Sequence, residues 1–128
     1  MKLENYLQRI GYEGDRQLNF ATLKTIHRAH LLAIPYENLD IHRNCPLTVD
    51  VAQIYDKIVT HRRGGWCFEM NGLLAWALRE IGFDVTNLSS FVGRDATQPL
   101  PTGAGDHMLL LVKLDQPYLA DAGFGNGI

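Results

Sequence analysis

Cys67 stands at the centre of the stretch RRGGWCFEMNG (62–72), where two glycines give way to a helical pattern. A cysteine in the first turn of a helix meets unpaired backbone N–H groups and the positive end of the macrodipole, and both favour its thiolate. The same amides could steady the oxyanion formed when a thiolate attacks a carbonyl. Gly64 and Gly65 supply backbone freedom for the sharp turn and leave room beside the sulfur. Position alone fits a small buried hydrophobe equally well. A nucleophile also needs a base, and the chain offers His27, His30, His42, His61 and His107. His27 and His30 sit three apart on a helical pattern and could share a metal. No further ligand pattern supports one, and surface or core packing is the ordinary explanation. His42 lies in a loop, and His61 falls in a last helical turn, near free carbonyls. His107 follows a glycine-rich loop and opens the apolar run HMLLLVKL, a rigid mount for a general base. Without Cys67 it would read as an ordinary strand-end histidine.

An imidazole base works best when a carboxylate orients it. Asp121, in YLADAGFG, sits in an apolar strand pattern. There it either faces solvent from an edge strand or needs a buried partner. A three-residue loop at 115–117 would keep His107 and Asp121 on one face of an antiparallel pair. Ladder counting then pairs His107 with Gly125 and Asp121 with Leu111, some rungs apart. The spacing permits the contact without proving it.

These side chains must be held by the elements around them. Leu3, Tyr6, Leu7 and Ile10 recur at helical spacing, and Gly11 stops that helix. Asn19 can cap a second helix with Leu23, Ile26, His30 and Leu31 on its inner stripe, ended by Pro35. The segment PYENLDIHRNCPL reads as a loop. Asp50 caps a third helix through Val51, Ile54, Tyr55, Ile58 and Val59, and a fourth runs from Cys67 to Ile81 with Gly82 as its stop. Strand composition follows at 84–93, then a loop at 94–106, then strands at 107–114 and 118–124 joined by a tight turn. Helices first and strands second make an α+β chain, with a helical domain at 1–83 and a sheet domain at 84–128. Two or three apolar strands make a poor sheet alone, so the chain reads as the front portion of something larger.

The 128 residues match one domain, with 46% apolar and 20% charged residues. A net charge of −2 without a basic block argues against nucleic acid. No apolar run reaches membrane-span length, and MKLENYLQRIGYEGD lacks signal-peptide character, so the expectation is no membrane and a cytoplasmic location. Cys45 and Cys67 have no metal-type spacing, and no disulfide framework is expected.

Taken in order, RRGGWCFEMNG, DHMLLLV and LADAGFG resemble the motifs of the arylamine N-acetyltransferases, and PYENLDI (35–41) resembles a segment near that family's start. The resemblance is collinear from residue 1 to 128. It implies a helical bundle followed by the first strands of a β-barrel, with a core like that of cysteine proteases and transglutaminases. It also implies an acetyl-CoA-dependent enzyme with a triad of Cys67, His107 and Asp121. The implied reaction is ping-pong transfer through a cysteine thioester to an arylamine, arylhydrazine or N-hydroxyarylamine. Tyr36 and Phe124 match aromatic positions near the family's acceptor pocket, although core packing would explain them as well. Thr102 and Gly103 match the loop that passes beside coenzyme A, and Arg63, Glu37 and Asn71 match polar support around the nucleophile. No metal is implied. Family members are longer, so further barrel strands and a third domain are expected to be missing here, and an open sheet edge is expected to favour homo-oligomers. Two other readings of the same residues are a cysteine hydrolase or transglutaminase-like enzyme with water as acceptor, and a catalytically silent binding or oligomerisation module.

Overall fold

The computed structural model describes residues 1–93, 97, 102–103 and 105–125. The helices come first: α1 (Leu3–Ile10), α2 (Phe20–Ala33), α3 (Leu39–His42), α4 (Val51–Tyr55) and α5 (Cys67–Ile81). Three strands follow, β1 (Asp84–Ser90), β2 (His107–Lys113) and β3 (Pro117–Ala120), forming one antiparallel sheet in the order β1-β2-β3. The α+β class and the order of elements are as the patterning predicts.

Helix ends fall where the local chemistry dictates. Gly11 adopts the left-handed conformation (φ 66°) after α1, and Gly82 does so (φ 115°) after α5. The Asn19 side chain accepts from the Thr22 N–H at 2.9 Å, and Asp50 accepts from Ala52 and Gln53. Two elements differ from expectation. The loop after Pro35 holds the short α3, started where the Glu37 carboxylate accepts the Leu39 N–H. The third helix does not run through as an α-helix. After Tyr55 it widens over Asp56–Thr60, where the His61 N–H donates to the Asp56 carbonyl five residues back.

α5 is the central helix. Leu73, Leu74, Ala75, Ala77 and Leu78 are wholly buried, so apolar residues cover most of its circumference. It packs against α1, α2 and α4 and against β1 and β2. One hydrophobic cluster extends from Tyr6 and Ile26 through Ile54 and Leu74 to Leu110, Val112 and Ala122. Removing the side chain of Leu73 or Leu74 would cost roughly 2–5 kcal/mol, the range for buried leucines. Arg9 staples the helical side together from within: its guanidinium donates to the Ile58 carbonyl at 3.1 Å and the Ala33 carbonyl at 2.7 Å.

His30 lies inside this packing. Its Nδ1 is 2.9 Å from the Tyr6 hydroxyl, and its Nε2 is buried with no partner among the described residues. Burial, followed by the neighbouring His27 and Arg9 charges, pushes its pKa down to about 3. The folded chain therefore holds His30 neutral where the unfolded chain would protonate it. Its contribution is intact above the unfolded value, roughly 6.5, and is lost as pH falls from there toward 3. Between roughly pH 7.5 and pH 5, the acid-side loss of stability should be about 2 kcal/mol smaller in His30→Gln than in the wild type. Urea midpoints at the two pH values check this; an equal loss in both proteins would contradict the assignment.

The hairpin register corrects the sequence-based count. Lys113 pairs with Pro117 and Leu110 with Ala120, so the connection is Leu114–Gln116 rather than 115–117. Pro117, which has no N–H to give, takes the first position of an outer strand. The ladder slides by two residues, bringing Asp121 closer to His107 without changing faces. Asp121 is also not inside a strand: pairing ends at Ala120, and the carboxylate stands on the first residue beyond it.

Candidate active site

β2 opens on His107, α5 opens on Cys67, and the chain leaving β3 carries Asp121. The three meet at one end of the sheet. His107 Nε2 lies 2.6 Å from Asp121 Oδ2, and the ring is almost wholly buried. An ionised carboxylate can only accept, so Nε2 carries the hydrogen in the neutral ring and Nδ1 holds the free lone pair. The Cys67 side chain packs against the Gly123 backbone, and the amide of Met108, next to His107, favours its charged form.

Asn71, one turn after Cys67 on α5, ties the group together. Its Nδ2 donates to Asp121 Oδ1 at 2.9 Å and to the Met108 carbonyl at 2.6 Å, and its Oδ1 accepts from the Ala122 N–H at 2.8 Å. The Gly123 N–H also donates to Asp121 Oδ1. Burial alone would raise the Asp121 carboxyl, but Asn71, His107 and the Gly123 amide together hold it below its ordinary range. It is thus a fixed anion beside the imidazole.

Burial and the surrounding amides act on the Cys67 thiol in opposite directions. Burial pushes the thiol up. The amides of Phe68, Met108 and Cys67 itself pull it down without reversing the balance, and the nearby Asp121 charge pushes it up further. Ionisation therefore requires a base to take the proton, and His107 Nδ1 has the free lone pair.

The glycines before Cys67 have a different purpose from the one the sequence suggests. Gly64 and Gly65 are not in the left-handed region; the positive φ in this turn belongs to Arg62 (54°). A Cβ on Gly64 would collide with the Pro35 carbonyl, and one on Gly65 would sit 2.9 Å from Glu69 Cβ. The chain's own backbone fills that space: Glu37 N–H donates to the Gly65 carbonyl and Tyr36 bridges to Gly65. Gly123 is equally constrained, since a Cβ there would lie 2.5 Å from Cys67 Cα. Gly123→Ala is expected to cost roughly 1–3 kcal/mol and to slow any reaction of Cys67. Gly72→Ala, whose Cβ would make ordinary contacts at 3.6 and 3.9 Å, should be neutral or stabilising by up to roughly 1 kcal/mol. Denaturant titration of the pair checks the contrast, and equal effects would contradict it.

The remaining expected residues divide. Arg63 and Glu37 do meet, Nη2 to Oε1 at 2.7 Å. They belong to a larger network that sequence reading missed: Arg63 also reaches Asp40, and Lys57 pairs with Asp40 and Glu69, each at 2.7–2.8 Å. Glu69 in turn accepts the Trp66 N–H and so ties the network to the start of α5. Its position three residues after the helix cap was the available signal. Tyr36 and Phe124 are 44% and 51% exposed, which rules out core packing. Phe124 stands edge-on to the His107 ring at 5.7 Å. Tyr36 bridges to Gly65, two residues before Cys67, and burial followed by the Cys67 charge pushes its phenol up. Thr102 and Gly103 lie in an exposed bend, and most of the loop around them is outside the described residues. His27, read as packing, donates toward the Asp121 main-chain carbonyl instead, at 3.0 Å. Among the described residues no group of three potential ligands could hold a metal, and no helix is long and apolar enough to cross a membrane.

A family described as N-acetyltransferase matches residues 19–128. Human arylamine N-acetyltransferase 1 is 42% identical over 127 residues, which are 98% of this chain and 43% of that protein. The solved arylamine N-acetyltransferase of Mycobacterium marinum superimposes with a TM-score of 0.89 at 36% identity, over 98% of this chain and 48% of that one. A structure of the M. marinum enzyme in complex with CoA matches with a TM-score of 0.85 at 38% identity, over 96% of this chain and 46% of that one. The chain thus spans less than half the length of these relatives. On sequence and fold together, it belongs to the arylamine N-acetyltransferase family.

Proposed function

We propose that this chain carries the acetyl-transfer chemistry of its family, with Cys67 as nucleophile, His107 as base and Asp121 as the carboxylate that orients the ring. The observation that carries the reading is the hydrogen-bonded path from Asn71, one turn beyond Cys67, through Asp121 to His107. It fixes the ring nitrogen that bears hydrogen and leaves the other free to act on the thiol.

In the first half-reaction His107 Nδ1 takes the thiol proton and the thiolate attacks the acetyl carbonyl of acetyl-CoA. The carbon–sulfur bond to coenzyme A breaks, and the departing thiolate recovers the proton from the imidazolium. In the second, the nitrogen of an arylamine, arylhydrazine or N-hydroxyarylamine attacks the Cys67 thioester. Its proton passes to His107, and the thiolate is regenerated as the N-acetyl product leaves. Such amines are unprotonated near neutral pH, and a thioester stays activated toward nitrogen. Tyr36 and Phe124 frame the acceptor side, and the loop of Thr102 and Gly103 serves the donor side. The ion-pair network of Glu37, Asp40, Lys57, Arg63 and Glu69 holds the turn that delivers Cys67.

Incubation with acetyl-CoA alone should leave one acetyl group on Cys67, detected by peptide mass spectrometry. Adding an arylamine should discharge it as the N-acetyl amine. Absence of the acetyl-cysteine would overturn the reading. Discharge at one rate with and without the amine would move it to a hydrolase.

A further inference from the structure

The Asp121–Ala122 peptide is gripped at both ends by two different helices. From α5, Asn71 Oδ1 accepts the Ala122 N–H at 2.8 Å. From α2, His27 Nε2 lies 3.0 Å from the Asp121 carbonyl. A carbonyl can only accept, so His27 Nε2 carries a hydrogen and donates it.

This grip occurs where the sheet stops supplying bonds. The β2–β3 ladder ends at the Leu110–Ala120 pair, so the peptide after Asp121 has no strand partner in that ladder. A peptide plane released from a ladder can rotate, and rotation here would swing the carboxylate on its Cα. Asn71 and Gly123 hold Asp121 Oδ1, and His107 meets Oδ2. Those bonds fix the carboxylate head; the peptide behind it is set by His27 and Asn71. His27 can do this because it lies one turn from both Leu23 and His30, at the border of the buried stripe of α2. It lines a shallow groove with Phe20, Leu23, Tyr118 and Ala120, where the ring is half-buried against the end of β3.

We propose that His27 is a positioning residue for the acetyl-transfer site: with Asn71 it clamps the Asp121–Ala122 peptide plane and thereby sets the angle at which Asp121 meets His107. The proposal rests on the acetyl-transfer reading for its functional consequence, but the clamp itself does not. His27 acts on neither the sulfur nor the reacting groups directly. Its effect reaches them through the backbone of Asp121.

The test compares His27→Leu, which fills the groove but cannot donate, with His27→Gln, whose side-chain amide can place N–H close to the position of Nε2. Two readouts are taken on the full chain: the single-turnover rate of Cys67 acetylation by acetyl-CoA, and hydrogen exchange of the Ala122 amide. His27→Leu is expected to slow acetylation about tenfold or more, as loss of an orienting contact commonly does, and to speed Ala122 exchange. His27→Gln should restore both to within about threefold of wild type. Wild-type rates in His27→Leu would overturn the proposal. So would a His27→Gln protein that folds with the wild-type melting temperature yet exchanges Ala122 freely. If His27→Leu does not fold, the Gln comparison decides by itself. Should the wild type never take up acetyl, the functional reading fails, and Ala122 exchange still passes or rejects the clamp.

Discussion

Cys67→Ala and Cys67→Ser are expected to abolish acetyl transfer while leaving the thermal transition close to that of the wild type. In the proposed reaction the sulfur is the group that is ionised by His107 and carries the activated ester. A serine hydroxyl in the same place is far harder to ionise, and its acetyl ester is less reactive toward nitrogen. Loss of a nucleophile that acts as a unit with its base costs on the order of 10⁴-fold or more in rate. The fold should tolerate the change because Cys67 is small and lies at the edge of the core rather than inside the apolar cluster. Single-turnover acetylation and a thermal melt on the same samples check both halves. Residual transfer within tenfold of wild type would remove Cys67 from the reaction.

The second large effect is expected from Asp121→Asn. An asparagine can still accept from Asn71 and Gly123 through its oxygen, but its amide nitrogen then faces His107 Nε2–H, donor against donor. The ring answers by moving its hydrogen to Nδ1, the nitrogen that must take the thiol proton. A wrong-tautomer imidazole of this kind lowers rates on the order of 10³- to 10⁴-fold. Stability falls as well. The Asp121 carboxyl is held below its ordinary range, so its contribution is present above the unfolded carboxylate value and is lost as pH falls through the folded one. The gap between wild type and Asp121→Asn should therefore be full near neutrality and close in strong acid. Denaturation at several pH values and single-turnover rates measure the two effects. A fully active Asp121→Asn would refute the assigned role of the carboxylate.

Much of this architecture can be read from residue types. The spacing of Leu3, Tyr6, Leu7 and Ile10, the Asn19 and Asp50 caps and the Gly11 and Gly82 stops are local signals, and each marks an observed helix boundary or face. The start of α5 at Cys67 and of β2 at His107 are legible for the same reason. What local signals could not supply was register and long-range pairing. The two-residue slide of the hairpin depends on Pro117 taking a ladder position, which composition reads as turn. The widened turn after Tyr55 has no local marker, and through it Lys57 joins an ion-pair network with partners from three other segments. The role of His27 depends on a carbonyl 94 residues away. The glycines at 64 and 65 look like flexible joints in the sequence, but the structure requires them, and Gly123, for close backbone approach.

The thiol's own environment, dominated by burial, favours the neutral form. Cys67 is therefore expected to ionise only by passing its proton to His107, whose charged form Asp121 would stabilise. The most direct measurement is the pH profile of alkylation of Cys67 by a small reagent, with the exposed Cys45 as the internal reference. The prediction is that Cys67 reacts faster than Cys45 at mildly acidic pH, and that His107→Gln removes this advantage. If Cys67 reacts more slowly than Cys45 at every pH and rises only in alkali, unchanged by His107→Gln, the sulfur is an ordinary buried thiol and the triad does not operate.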